Sequence, residues 1–167
     1  MLPLLMSLDE YLHTSFENPD PEFIDGEVVE RNGGSLSHSG AMTEVACRLG
    51  MEESRTALSV VISIRLRTAA NRVRVTDVAA FDPEPVEQIP STPPVVVLEV
   101  TSPEDRFCFL IEKLEEYRQW GVKHIWVADP DDRKFFTYGD AGLHECDELT
   151  LARYDIVLTK DDIFEAA

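Results

Sequence analysis

The sequence predicts a single α/β domain, residues 1–167, built on a mixed central β-sheet flanked by helices. Three observations predict it. Val95-Val96-Val97-Leu98-Glu99-Val100 is an apolar, β-branched run after Pro93-Pro94, and it reads as a strand buried on both faces. A helical pattern and a second apolar run, His124-Ile125-Trp126-Val127-Ala128, complete a strand–helix–strand unit within about thirty-five residues, so these two strands should be parallel with a right-handed crossover. Upstream, apolar segments separated by Asp25-Gly26 and Asn71-Arg72 read as further strands joined by tight turns.

The elements follow in order. Ser7-Leu8-Asp9-Glu10-Tyr11-Leu12 has Ser7 as cap and Glu10 three residues on, the capping-box spacing of a helix start. Asn18-Pro19-Asp20-Pro21 breaks that helix. Phe23 to Glu30 carries the Asp25-Gly26 hairpin turn, and Asn32-Gly33-Gly34-Ser35 is a flexible loop. From His38 to about Glu53, Met42, Val45, Ala46 and Leu49 recur at helical spacing. Val60 to Arg67 and Val73 to Phe81 are strands. Residues 82–94 hold five prolines and little periodicity, so they form a surface loop or a flap over a site. Ser102-Pro103-Glu104-Asp105 has the composition of a helix N-terminus, and a helix is expected from there to about Trp120, ended by Gly121. Lys134 to Tyr138 and a segment near Leu143 form a terminal hairpin. Ile156-Val157-Leu158 through Phe164 is a last strand or tail.

Composition narrows the function classes. Fifteen basic residues against thirty-two acidic ones give a formal net charge of −17. That balance excludes a broad, sequence-independent grip on a phosphate backbone, which needs clustered lysine and arginine. It leaves room for a local basic groove, or for a site in which bound metal offsets acid. Cys47, Cys108 and Cys146 are far apart and form no Cys-x-x-Cys pair, so neither a disulfide framework nor a structural zinc site is favoured. Met1-Leu2-Pro3-Leu4-Leu5-Met6 is apolar but lacks a basic flank and is too short to span a membrane. No membrane partner and a reducing cytoplasm are the expectations.

Glu99 is the residue that asks for an explanation. A carboxylate inside a doubly buried strand costs several kcal/mol, roughly, unless a partner compensates it. That partner is either a lysine or arginine in a structural ion pair, or a cation at the mouth of a functional site. Asp77 is a second acid in an apolar strand, Val75-Thr76-Asp77-Val78-Ala79; it faces either a site or the sheet's solvated edge. Glu27, after the Asp25-Gly26 turn, is a third candidate or an ordinary solvated acid. Lys113 borders the helical stripe Leu110, Leu114, Tyr117, and either snorkels to water or reaches back over the strand of Glu99. Hard divalent cations take oxygen ligands and keep several waters, so one or two carboxylates on adjacent strands suffice. Such a cation lowers the pKa of bound water and neutralises charge on a phosphodiester in the transition state, and a nearby lysine steadies the same charge.

The ordered set Phe23-Ile24-Asp25-Gly26-Glu27-Val28, His38, Val75-Thr76-Asp77-Val78-Ala79 and Leu98-Glu99-Val100-Thr101-Ser102-Pro103 resembles the Uma-type restriction endonucleases. So do Lys113-Leu114-Glu115-Glu116-Tyr117, Trp120-Gly121-Val122, Ile125-Trp126-Val127 and Asp129-Pro130, and the resemblance runs from about Ser7 to Phe164. It implies a restriction-endonuclease-like core of the PD-(D/E)XK superfamily and hydrolysis of phosphodiester bonds in nucleic acid, DNA favoured, with Mg2+ or Mn2+ as cofactor. By the same resemblance, Asp77 and Glu99 are catalytic metal ligands and Glu27 is an additional ligand, directly or through water. Lys113 is the catalytic lysine, displaced to the helix because Thr101 stands where the motif's lysine is usual, and His38 lies at the site's rim. Thr76 replaces the usual proline before the aspartate. Phe109 stands where many members carry an aspartate.

Two other classes of reading compete. One is a non-catalytic binding module on a nuclease scaffold, its acids holding a structural cation or a protein partner. The other is an assembly unit, with Trp120, Trp126, Phe135 and Phe136 contributing to a homodimer face; core packing is the better account of those aromatics. Sequence preference, RNA against DNA, and oligomeric state are not written in the chain.

Overall fold

Two helical layers take opposite faces of one twisted sheet, and period-two alternation along its central strands decides which residue meets which layer. The computed structural model describes residues 4–17, 19–32 and 34–164. Met1 to Pro3 of the apolar start, Asn18 of the expected break and Gly33 of the expected loop lie outside the described residues. The first elements are β1 (Leu4–Leu5), α1 (Leu8–His13), β2 (Glu22–Ile24) and β3 (Glu27–Val29), then α2 (Leu36–Met51) and the short α3 (Glu53–Thr56). The long strands β4 (Ser59–Ala69) and β5 (Arg72–Phe81) precede β6 (Val96–Val100), α4 (Phe107–Trp120) and β7 (His124–Asp129). The chain continues through β8 (Lys134–Gly139), β9 (Gly142–Cys146), β10 (Glu148–Leu151), β11 (Ile156–Thr159) and α5 (Lys160–Phe164).

The main sheet runs β1-β3-β2-β5-β6-β7-β8-β9, with β4 also paired to β5. β6 and β7 are parallel, in register from Val96 opposite His124 to Val100 opposite Ala128, and α4 makes the crossover between them. The other pairings of this sheet are antiparallel. The sheet is therefore mixed, as the βαβ signature predicts. Val78, Ala80, Val96, Leu98, Val100, Trp126 and Ala128 point to one face, under α2, α5 and the β10–β11 hairpin. Ala79, Phe81, Val97, Ile125 and Val127 point to the other, under Leu114 and Tyr117 of α4. Glu99 falls on the α4 face by the same alternation.

Most element expectations match. Ser7 and Glu10 form both halves of the capping box of α1. Asp25 and Gly26 take positive φ (51° and 99°), as a two-residue primed turn requires. Gly121 ends α4 with φ 110°. The start of α4 differs. Asp105 accepts the Ser102 N–H at 2.8 Å and donates its own N–H to the Ser102 carbonyl at 2.9 Å, closing a separate turn; the helix begins only at Phe107. Residues 82–94 are a surface loop rather than a flap. Ile89 packs on the Tyr11–Phe23 cluster, and no residue of the loop lines the main cleft. Trp126 and Phe135 are core residues, and Trp120 and Phe136 pack against the α4-side core.

Candidate active site

A gap in strand pairing creates the site. Along one edge of β5, β2 pairs with Arg72 and Val73 while β6 pairs with Val78 to Ala80. The stretch between is bordered by neither strand. There the Val75 N–H donates to Glu22 Oε1 at 3.1 Å, and the Val75 carbonyl accepts from Lys113 Nζ at 2.8 Å. Side chains thus satisfy backbone groups that a continuous ladder would have paired. One step beyond the last paired residues, Val78 and Leu98, stand Asp77 and Glu99.

Lys113 reaches back over the sheet rather than out to water. Its ammonium lies 2.7 Å from Glu99 Oε2 and 2.9 Å from Glu22 Oε1. Tyr117, one turn further along α4, donates its hydroxyl to Glu99 Oε1 at 2.9 Å. Asp77 Oδ2 accepts the Val100 N–H at 2.8 Å, and Oδ1 accepts from the Arg31 guanidinium at 2.8 Å. His38 Nε2, in the first turn of α2, lies 3.5 Å from Asp77 Oδ2. Arg74 bridges Glu22 at 2.8 Å and Glu116 at 2.7 Å, tying the cluster to the outer side of α4. Lys113, Glu99, Asp77, Glu22 and Arg74 are all buried, yet each lines an open cleft of about 610 Å³.

Environment separates the three acids. Burial pushes the Glu22 carboxyl up, but Lys113 and Arg74 outweigh it and hold it at about 2. Burial likewise opposes ionisation of Asp77, and His38, Arg31 and Lys113 bring it down to about 2. Glu99 moves the other way: burial raises it against the pull of Lys113, and the Asp77 charge opposite adds to the rise. Glu22 and Glu99 keep Lys113 charged despite burial. The hydrogen bond to Asp77 raises His38.

Of the residues singled out in the sequence, Asp77, Glu99, Lys113 and His38 come together. Glu27 does not join them. It lies opposite Ile24 on β3, exposed, on the wall of the same cleft. The N-terminal acid that reaches Lys113 is Glu22, two positions before Ile24 on β2. The turn signal drew attention to Glu27, whereas Glu22 is marked only by being the acid that opens Glu22-Phe23-Ile24. Arg31 carried no sequence signal beyond a cation after a hairpin. Tyr117 lay in plain view on the Lys113 stripe. Phe109 is exposed at the cleft's lip, with the Arg106 guanidinium 5.8 Å from its ring centre.

Among the described residues no three His, Cys, Asp or Glu side chains are gathered to hold an ion. Asp77 and Glu99 supply two hard oxygen donors from neighbouring strands, which fits a dication that keeps several of its waters. No described helix is long and apolar enough to cross a membrane.

A mixed sheet with acids gathered at a break in strand pairing, faced by a helix-borne lysine, defines a restriction-endonuclease-like α/β protein. Residues 8–157 match the Uma2 family, described as "Putative restriction endonuclease", and the chain belongs to that family. A crystal structure described as "a putative nuclease belonging to DUF820 from Anabaena variabilis ATCC 29413" is similar in fold, with a TM-score of 0.82. It is 19% identical, over 96% of this chain and 98% of that one. No curated protein matches the chain.

Proposed function

We propose that this protein is a divalent-metal-dependent nuclease that hydrolyses phosphodiester bonds of nucleic acid, DNA in the first place. The observation that carries the reading is the convergence of Asp77, Glu99 and Lys113 at the floor of an open cleft, in a chain of the Uma2 family. Asp77 and Glu99 would hold Mg2+ or Mn2+, with Glu22 shaping the charge behind Lys113. The ion, when bound, supplies an activated water and a counter-charge for the phosphate. Lys113, fixed by Glu22 and the Val75 carbonyl, keeps its ammonium at the carboxylates and is placed to steady the developing negative charge. Tyr117 fixes the orientation of Glu99. His38 and Arg31 neutralise Asp77 from the cleft's rim. Glu27 on the cleft wall would act only through water.

Purified protein with Mn2+ is expected to cut at least one member of a panel of duplex, single-stranded and branched DNA and of RNA, and chelator should stop it. Glu99→Gln should reduce cleavage on the order of a hundredfold or more. Cleavage unchanged in Glu99→Gln would assign it to a contaminant, and no cleavage across the panel would sink the reading.

One observation favours a second reading, a non-catalytic module with a structural ion cluster. Among the described residues, every buried side-chain polar atom already has a protein partner. Metal titration separates the two: the ion-cluster reading expects no binding of Mn2+ by the folded protein.

A further inference from the structure

The cations around Asp77 and Glu99 are not held alike. Lys113 is tied three times, to Glu99, to Glu22 and to the Val75 carbonyl. Arg31 makes one ion pair, its guanidinium to Asp77 Oδ1 at 2.8 Å, and that is its only hydrogen-bond or ion-pair partner among the described residues. It sits on the connection between β3 and α2, lines the open cleft, and keeps 19% of its side chain exposed. The other carboxylate oxygens are engaged by groups that cannot leave easily: Asp77 Oδ2 by the Val100 N–H, Glu99 Oε2 by Lys113 and Oε1 by the buried Tyr117 hydroxyl. His38 Nε2 also approaches Asp77 Oδ2 from the rim, at 3.5 Å, but Oδ2 keeps the Val100 N–H; Oδ1 is thus the one oxygen of the pair held solely from the cleft's rim.

We propose that Arg31 is a built-in, displaceable competitor for the divalent cation: its guanidinium covers the oxygen of Asp77 that the ion needs, and it sets the affinity of the site. The inference rests on the metal reading above. A carboxylate lone pair held by Arg31 is closed to an ion, and two cations a few ångströms apart repel. Apparent affinity falls by the fraction of time Asp77 is free, so a tenfold effect corresponds to Arg31 holding Asp77 for about nine-tenths of the time. Arg31 also lowers the cost of both buried charges.

Calorimetric titration of the full chain with MnCl2 tests this. Arg31→Ala and Arg31→Gln are measured beside wild type, with circular dichroism on each sample to verify the fold. Both variants are expected to bind Mn2+ about tenfold tighter or more, a change of ~1.4 kcal/mol. Adding Asp77→Asn to either should abolish the gain. The Mn2+-induced rise in unfolding temperature should also be larger in the Arg31 variants than in wild type. Folded Arg31 variants that bind Mn2+ no tighter than wild type would overturn the competitor role and leave the metal site standing. Absence of Mn2+ binding in wild type and variants alike would overturn the metal reading, and this inference with it.

Discussion

Lys113 has two carboxylates as direct partners, and their unequal treatment decides how the site responds to change. Removing the lysine leaves Glu22 with Arg74 but leaves Glu99 with only a hydroxyl, in a place where an unpaired charge is costly. Lys113→Met is therefore expected to destabilise the fold by ~3–5 kcal/mol, read from urea or guanidinium unfolding. Glu99→Gln keeps the Tyr117 and Lys113 contacts geometrically available and should cost less. The same residues shape acid stability. Glu22 and Asp77 ionise more easily folded than unfolded, with carboxyls at about 2 against ordinary values of 4.5 and 3.8. Their contribution is complete above those ordinary values and disappears as pH falls towards about 2. Glu99, raised by burial, works in the opposite sense and partly offsets them. Glu22→Gln should flatten the loss of stability between about pH 4.5 and 2, measured as unfolding free energy against pH. An unchanged slope would mean that the Glu22 carboxyl ionises alike in the folded and the unfolded chain.

At the scale of elements, α4 carries most of the functional geometry, because one stripe supplies Leu114 to the core and Lys113 and Tyr117 to Glu99. Its C-terminus depends on Gly121, whose φ of 110° suits glycine alone, while an added Cβ would meet Pro93 Cγ at an ordinary 3.6 Å. Gly121→Ala should thus lose ~1 kcal/mol through backbone strain without a clash, and differential scanning calorimetry would show it. Much of this geometry was legible in the chain. Apolar runs and helical spacing marked β6, α4 and β7, and the misfit of a glutamate among valines marked Glu99. What stayed hidden was long-range. Nothing near Glu22 says that β2 and β6 leave Arg74 to Asp77 of β5 unpaired between them, and nothing near Arg31 says that its loop returns over Asp77. The sequence pattern places the start of α4 too early, because Ser102 and Asp105 satisfy each other in a turn, using the same residue types that cap a helix.

Across the whole molecule, a net charge of −17 surrounds a cleft in which Lys113, Arg74 and Arg31 are already committed to acids, and Arg106 at the lip stands over the Phe109 ring. A long row of phosphate contacts has no place on such a surface. Binding to duplex DNA, where it occurs, should therefore engage about one to three phosphates, and the slope of log affinity against log salt should lie near −1 to −3. A slope of −6 or steeper, from fluorescence anisotropy across a salt series, would require a basic surface that this chain does not display. Specific hydrogen bonds and the shape of the cleft then carry more of the recognition than electrostatic attraction does.

The break between β2 and β6 also gives the protein two internal probes. The amides of Val75 and Val100 donate to the Glu22 and Asp77 carboxylates instead of to a strand. In a proton–nitrogen spectrum these two signals should stand apart from those of ladder amides and respond first when charge enters the cleft. Two backbone resonances would thus follow occupancy of the site without any substrate being cut.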